Sequence, residues 1–290
     1  MNYKEYKKEL QELVQKEIGD QAKVVITTQV KSNDVIKEGI TFEEAGTHAV
    51  PVIYLEEIYN TYQESQAIEE SVETVLDIFR NSSPFQREDF ALSWDLIKPK
   101  IQIRLLKREW NKEYINSLIY REWLDFAVIP VVRVSEKEVG SAVASISKSM
   151  LAALQIDEKE LWNAAFENLQ KEYFFVQDIR SIFIGETRQS QEDTGVFVAT
   201  NWNFQYGARV ILRKDILKDF AEKNGYNLFI LPSSQNEILI LGDNGEMQVE
   251  DLKEMVASIN GDPKLISKEE VLSNSIYYYD YEQDKVRIAA

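Results

Sequence analysis

The single histidine is the first residue to weigh. His48 stands in a Gly46-Thr47-His48-Ala49 turn ahead of a strand. A Ser-His-Asp triad or a histidine metal site would have to pass through it. Alone in a turn, it reads as a solvent-facing side chain. Cysteine is absent, which excludes disulfides, thiolate zinc sites, iron–sulfur clusters and cysteine nucleophiles. Ser233-Ser234 follows Pro232 between two strand patterns, but a nucleophile elbow needs Gly-x-Ser-x-Gly and no glycine flanks it. With Asn236 it reads as a polar loop suited to facing a ligand. Tyr206-Gly207-Ala208 opens a helical pattern and can offer backbone N–H groups to an anion. No Gly-x-Gly-x-x-Gly and no Gly-Lys-Ser/Thr occurs, so nucleotide binding has no motif behind it. Glu43-Glu44, Glu56-Glu57 and Glu69-Glu70 are adjacent pairs, which point apart on a strand or helix. Asp243-Asn244-Gly245-Glu246 lacks the twelve-residue calcium pattern. Tyr277-Tyr278-Tyr279-Asp280-Tyr281 puts Tyr277 and Tyr279 on one strand face, an aromatic set suited to packing or to an interface. The candidate binding residues are therefore Ser233, Ser234, Asn236, Tyr206, Gly207, Tyr277 and Tyr279. Neither a catalytic set nor a metal or cofactor site is expected.

The elements that position these residues alternate along 290 residues. Tyr3, Tyr6, Leu10, Leu13, Val14 and Ile18 predict an amphipathic helix stopped by Gly19-Asp20. Lys23–Val30 and Val35–Glu43 predict strands around Ser32-Asn33-Asp34, and Val50–Leu55 a third. Leu55–Tyr62 and Ile68–Phe79 predict helices. Glu88–Lys98 reads as a short helix closed by Pro99, and Ile101–Leu106 as a strand alternating Ile101, Ile103 and Leu105 against Gln102 and Arg104. Trp123–Val134 is an apolar strand whose Pro130 predicts an edge or a bulge. Asp157 and Glu160 stand at capping-box spacing ahead of a helix to Gln170. Gly185–Thr194 reads as a linker, Val196–Thr200 as a strand and Tyr206–Phe220 as one helix. Asn227–Leu231 and Glu237–Leu241 are strands, Val249–Ile259 a helix, and Ser275–Tyr281 with Lys285–Ile288 a terminal hairpin. The fold class is α+β: consecutive small αβ units with antiparallel or mixed sheets flanked by amphipathic helices. The expected divisions are 1–84, 85–185 and 186–290.

Composition narrows the function classes. Lys plus Arg is 33 and Asp plus Glu is 49, a formal charge of −16. That excess opposes direct nucleic-acid binding. It suits solubility, or an acidic surface that imitates DNA. The N-terminal MNYKEYKKEL has no apolar core of a secretory signal, and no stretch approaches the roughly 20 apolar residues of a membrane span. The expected location is the cytoplasm.

An ordered set of segments resembles a known family. The segments are Asn33-Asp34-Val35 with Gly39-Ile40-Thr41, Pro51-Val52-Ile53-Tyr54-Leu55 with Tyr59 and Tyr62, Trp162-Asn163-Ala164-Ala165 with Asn168-Leu169, Leu231-Pro232-Ser233-Ser234 with Glu237-Ile238-Leu239-Ile240, and Ser275–Asp280. Together they resemble domain-of-unknown-function family 5688, bacterial proteins sometimes carried on mobile elements. Residues 100–241 are also similar to the YtpQ-like family, through Pro130–Arg133 and the Gly207-Ala208 turn. A histidine usual near the Ser233 loop in that family is replaced by Asn236. Neither resemblance implies an activity. The leading expectation is a non-enzymatic protein-interaction or regulatory module with a protein partner. The alternatives are an acidic DNA-mimic inhibitor of a DNA-binding enzyme, and an enzyme of unknown class using the loop near Ser233.

Overall fold

The computed structural model describes residues 1–43, 52–81, 93–133, 143–184, 195–232 and 234–289. Contacts divide the chain into two compact units. The first holds Met1–Lys31 and Val35–Ser93; the second holds Ser32–Asp34 and Trp94–Ala290.

The first unit starts with helix α1 (Tyr3–Ile18). The Asn2 side chain accepts the Glu5 N–H at 3.0 Å, and Glu5 returns the bond to the Asn2 N–H, so two of the helix's otherwise orphan donors are satisfied. Tyr6, Leu10, Val14 and Ile18 recur every four residues and bury one face. That face meets an antiparallel sheet of β1 (Lys23–Val30), β2 (Ile36–Glu43) and β3 (Ile53–Tyr54), in that order. The register runs from Lys23 opposite Glu43 to Val30 opposite Ile36. Helices α2 (Leu55–Ser65) and α3 (Ile68–Asn81) complete the core through Leu55, Tyr62, Val75 and Leu76.

The second unit has two antiparallel sheets. After the short α4 (Trp94–Ile97) come β4 (Ile101–Lys107), α5 (Lys112–Ile115), β5 (Arg121–Trp123), β6 (Phe126–Arg133) and β7 (Val143–Ser145). Strand β6 is central: β4 lies on one side, β5 and β7 on the other. Pro130 therefore sits in an interior strand, not at an edge. Pro130 lies opposite Ile103 on β4. Its carbonyl accepts the Ile146 N–H, so its nitrogen faces the same side. There β5 pairs only with 126–128 and β7 only with 131–133. The missing donor falls in the gap between two short strands, where no ladder bond is lost.

Helices α6 (Lys148–Ala153) and α7 (Glu158–Lys171) follow. Asp157 caps α7 by accepting the Glu160 N–H at 2.8 Å, as the capping spacing predicts. The remaining elements are β8 (Phe174–Asp178), α8 (Ile179–Ile184), β9 (Val196–Asn201), α9 (Lys214–Asn224), β10 (Leu228–Leu231), β11 (Ile238–Gly242), α10 (Val249–Asn260), β12 (Tyr277–Asp280) and β13 (Lys285–Ile288). Six of the strands form one sheet ordered β13-β12-β10-β11-β9-β8. The segments 85–185 and 186–290 thus contribute neighbouring strands, β8 and β9, to a single sheet. The helix expected over 206–220 is instead a 3-10 turn, Gly207–Leu212, followed by α9. The architecture is α+β with antiparallel sheets.

Candidate functional site

The second unit contains a cavity of about 410 Å³ whose lining joins β4 to the loops after β9 and β10. Arg104 of β4 forms one wall, with Gln205, Tyr206, Gln235 and Asn236 beside it and Phe204, Glu269 and Glu270 completing the rim. Of the residues singled out by sequence, Tyr206 and Asn236 line this cavity, and Ser234 and Gly207 hold the loops that form it.

Backbone chemistry explains why these loops meet. The Thr200 hydroxyl donates to the Asn236 carbonyl at 2.6 Å, and the Tyr206 N–H donates to Asn236 Oδ1 at 3.2 Å. A Cβ on Gly207 would run into Thr200 Oγ1 and the Asn236 carbonyl, so only glycine permits this approach. The Ala208 N–H is bonded to the Gln235 carbonyl at 3.2 Å. The N–H groups of Tyr206 and Ala208 are therefore committed to the protein and not offered to an anion. Ser234 is buried, and its hydroxyl accepts the Asn236 N–H at 2.9 Å, a turn-stabilising role. Gln235 ties the loop to the following chain: its N–H donates to the Glu270 carbonyl at 2.9 Å and its amide to the Glu269 carbonyl at 2.7 Å. Beside this turn, Glu237 has its carboxyl pKa raised, chiefly by burial. Ser233, His48, Glu44 and the Gly185–Thr194 segment lie outside the described residues.

The loop after β9 is held from beneath. Asn201 accepts the Gln205 N–H at 3.1 Å and donates to the Gln205 carbonyl at 2.9 Å. Fully buried Arg209 donates to the Gln205 and Tyr206 carbonyls at 3.2 and 3.1 Å. Its Nε and Nη2 grip the two oxygens of Glu172, a bidentate pair. Phe204 and Tyr206 have φ of 52° and 51°. Left-handed backbone at a bulky aromatic costs of order 1–3 kcal/mol, which these bonds offset.

Arg104 is the residue that the sequence pattern did not single out. It is only 9% exposed. Its Nε donates to Gln235 Oε1 at 2.7 Å, Nη2 to Ser32 Oγ, and Nη1 to the Tyr114 hydroxyl at 3.5 Å. All three acceptors are neutral, and no carboxylate among the described residues pairs with this buried cation. Its guanidinium stands 4.8 Å from the centre of the Tyr206 ring. The sequence signal was its place on the polar side of an alternating strand; that side is buried here, so β4 is covered on both faces.

Tyr277 and Tyr279 lie elsewhere, fully buried in the core. Tyr277 donates its hydroxyl to Asp125, which also pairs with Lys107. Burial and the Asp125 carboxylate push the Tyr277 hydroxyl pKa far above its ordinary value, so it stays a donor. Burial raises the Asp125 carboxyl, but hydrogen bonds from Lys107, Tyr277 and Ser275 outweigh it and hold the pKa below the ordinary value. The Ser275 hydroxyl stands 3.0 Å from Lys107 Nζ, the spacing of a nucleophile and its base. Lys107 Nζ donates that bond and is also paired with the Asp125 carboxylate. Tyr279 donates to Asp284 at 2.8 Å.

Among the described residues no cluster of His, Cys, Asp and Glu can hold a metal ion. Among them, too, no helix is long and apolar enough to cross a membrane. No curated protein and no solved structure matches the chain. The model of a family of unknown function, DUF5688, matches residues 3–281, and the chain belongs to that family.

Proposed function

We propose that the chain is a non-enzymatic protein-interaction or regulatory module, and that its recognition surface is the aromatic end of β8 and β9. The observation that carries this is three exposed aromatics: Tyr173 is 69%, Trp202 66% and Phe204 45% exposed. Tyr173 and Trp202 sit one residue beyond the last β8–β9 pair, Phe174 opposite Asn201. Phe204 packs edge-on against Phe175 at 5.9 Å between ring centres. Tyr and Trp are the residue types that dominate binding energy at protein interfaces. The bonds from Arg209 and Asn201 hold the loop in one shape, which lowers the ordering cost of docking. Among the described residues β8 has one neighbouring strand, so an extended partner segment can pair along it. The turn role of Ser234, whose hydroxyl accepts the Asn236 N–H, favours binding over catalysis at that loop. The test is capture by the tagged chain from host lysate, run beside a Y173A/W202A variant. A stoichiometric partner lost from the variant supports the reading. Equal capture by both, or none by either, overturns it.

A second reading has its own observation. Between Leu55 and Phe79 stand Glu56, Glu57, Glu64, Glu69, Glu70, Glu73 and Asp77, with no Lys or Arg. All seven are exposed on α2 and α3. Such a run suits the acidic mimic of DNA, which would suit a mobile element. It requires that E56Q/E57Q/E69Q/E70Q lose a DNA-binding partner which Y173A/W202A retains.

A further inference from the structure

We propose that the Arg104 cavity is a binding site for a small zwitterion of the α-amino-acid class. The ligand carboxylate lies on Arg104 and its ammonium on the Glu269–Glu270 side.

The cavity is about 410 Å³, toward the small end of the roughly 300–1,000 Å³ of small-molecule pockets. It is too small for a folded element of a partner. Its chemistry is asymmetric. One cation, Arg104, shares the lining with two acidic residues, Glu269 and Glu270, and with Gln205, Gln235 and Asn236. An arginine offers five N–H donors. Three of those on Arg104 are taken, by Gln235, Ser32 and Tyr114. Two remain without an acceptor among the described residues, on a guanidinium that is 9% exposed. Withdrawing a charge from water is costly unless it is paired and hydrogen-bonded. A ligand carboxylate supplies the missing countercharge and can take both open N–H groups.

The acidic rim, with the exposed Glu270 carboxylate, decides against a simple anion. A dianionic phosphate or a dicarboxylate would meet it with like charge. An ammonium group meets it with opposite charge. Glu270 accepts one hydrogen bond, from Ser267 Oγ at 2.6 Å, which leaves acceptor sites on an exposed carboxylate. Phe204 and Tyr206 contribute aromatic surface for the ligand's side chain, and their left-handed backbone is already fixed before any ligand arrives. The site shares Phe204 with the docking surface but goes beyond it: Tyr173 and Trp202 do not line it.

The test uses the full chain. Thermal shift and calorimetric titration are run with individual α-amino acids at millimolar concentration. The N-acetyl and carboxamide derivatives of any that bind are then run in parallel. At least one α-amino acid is expected to raise the melting temperature and to bind with a submillimolar Kd. Blocking either end should weaken it at least about tenfold, the scale of one charge-assisted hydrogen bond. R104K, which keeps the charge but loses the planar fork, should do the same. E270Q alters only an exposed side chain, so it keeps the test open if R104K fails to fold; it too should weaken binding about tenfold. Binding by none of the amino acids overturns the proposal. Equal binding of the N-acetyl form overturns it as well, because the ammonium then contributes nothing. Neither result touches capture through Tyr173 and Trp202.

Discussion

Individual polar residues set the chemistry of the second unit, and two half-buried carboxylates, Asp125 and Glu237, titrate with opposite sign. The folded-state pKa of Asp125 is lowered. Its contribution is present above the unfolded carboxyl pKa, about 3.9, and is lost as pH falls through the lowered value. D125N should remove that acid limb from a urea-denaturation series. It should also cost about 3 kcal/mol near neutral pH by leaving Lys107 buried without its countercharge. Glu237 is the reverse case, its pKa raised chiefly by burial. The folded chain then binds the proton more tightly, so stability falls as pH rises from the ordinary glutamate value through the raised one. E237Q should flatten the curve in that window and leave the Asp125 limb intact. Gly207 tests packing: G207A forces a Cβ against the Asn236 carbonyl and should cost about 3 kcal/mol. Gly207 and Asn236 are legible in the sequence because turn residues carry a local signature. Arg104 is not, because burial on both faces of a strand is decided by distant chain. In this case Gln235 and Ser32 supply the acceptors, 131 and 72 positions away.

At the scale of elements, local rules were legible where they acted alone. The Asp157 cap, the Tyr277–Ile288 hairpin and the four-residue spacing of α1 follow from pattern and turn chemistry. Pro130 was misplaced because its neighbours, β5 and β7, are short and leave a gap that no local rule foretells. The aromatic run at Tyr277 and Tyr279 was read as packing or interface, and the fold buries both. Among the described residues the three most exposed aromatics are Tyr173, Trp202 and Phe204, which never stand consecutively in sequence. The Arg209–Glu172 pair is the support of their loop. E172Q leaves Arg209 buried with a neutral partner, and should cost about 3 kcal/mol. Hydrogen exchange should then quicken at Gln205, whose N–H is held by Asn201, itself bonded to Glu172. Unchanged exchange at Gln205 would contradict the claim that the loop is shaped in advance.

At the scale of the whole molecule, the two proposed readings differ in the salt dependence they predict. The formal charge is −16, and the run from Leu55 to Phe79 contributes seven carboxylates without a cation. The acidic reading predicts capture that weakens steeply with salt, because exposed charges beyond the Debye length of about 8 Å are screened. The aromatic reading predicts capture through Tyr173, Trp202 and Phe204 that rests on apolar burial and persists in high salt. The most direct measurement is a hydrogen-exchange footprint of the purified complex with its captured partner. The proposed function predicts new protection over 174–178 and 202–206, retained at high salt. Protection confined to 55–79, or no change at either place, would contradict it.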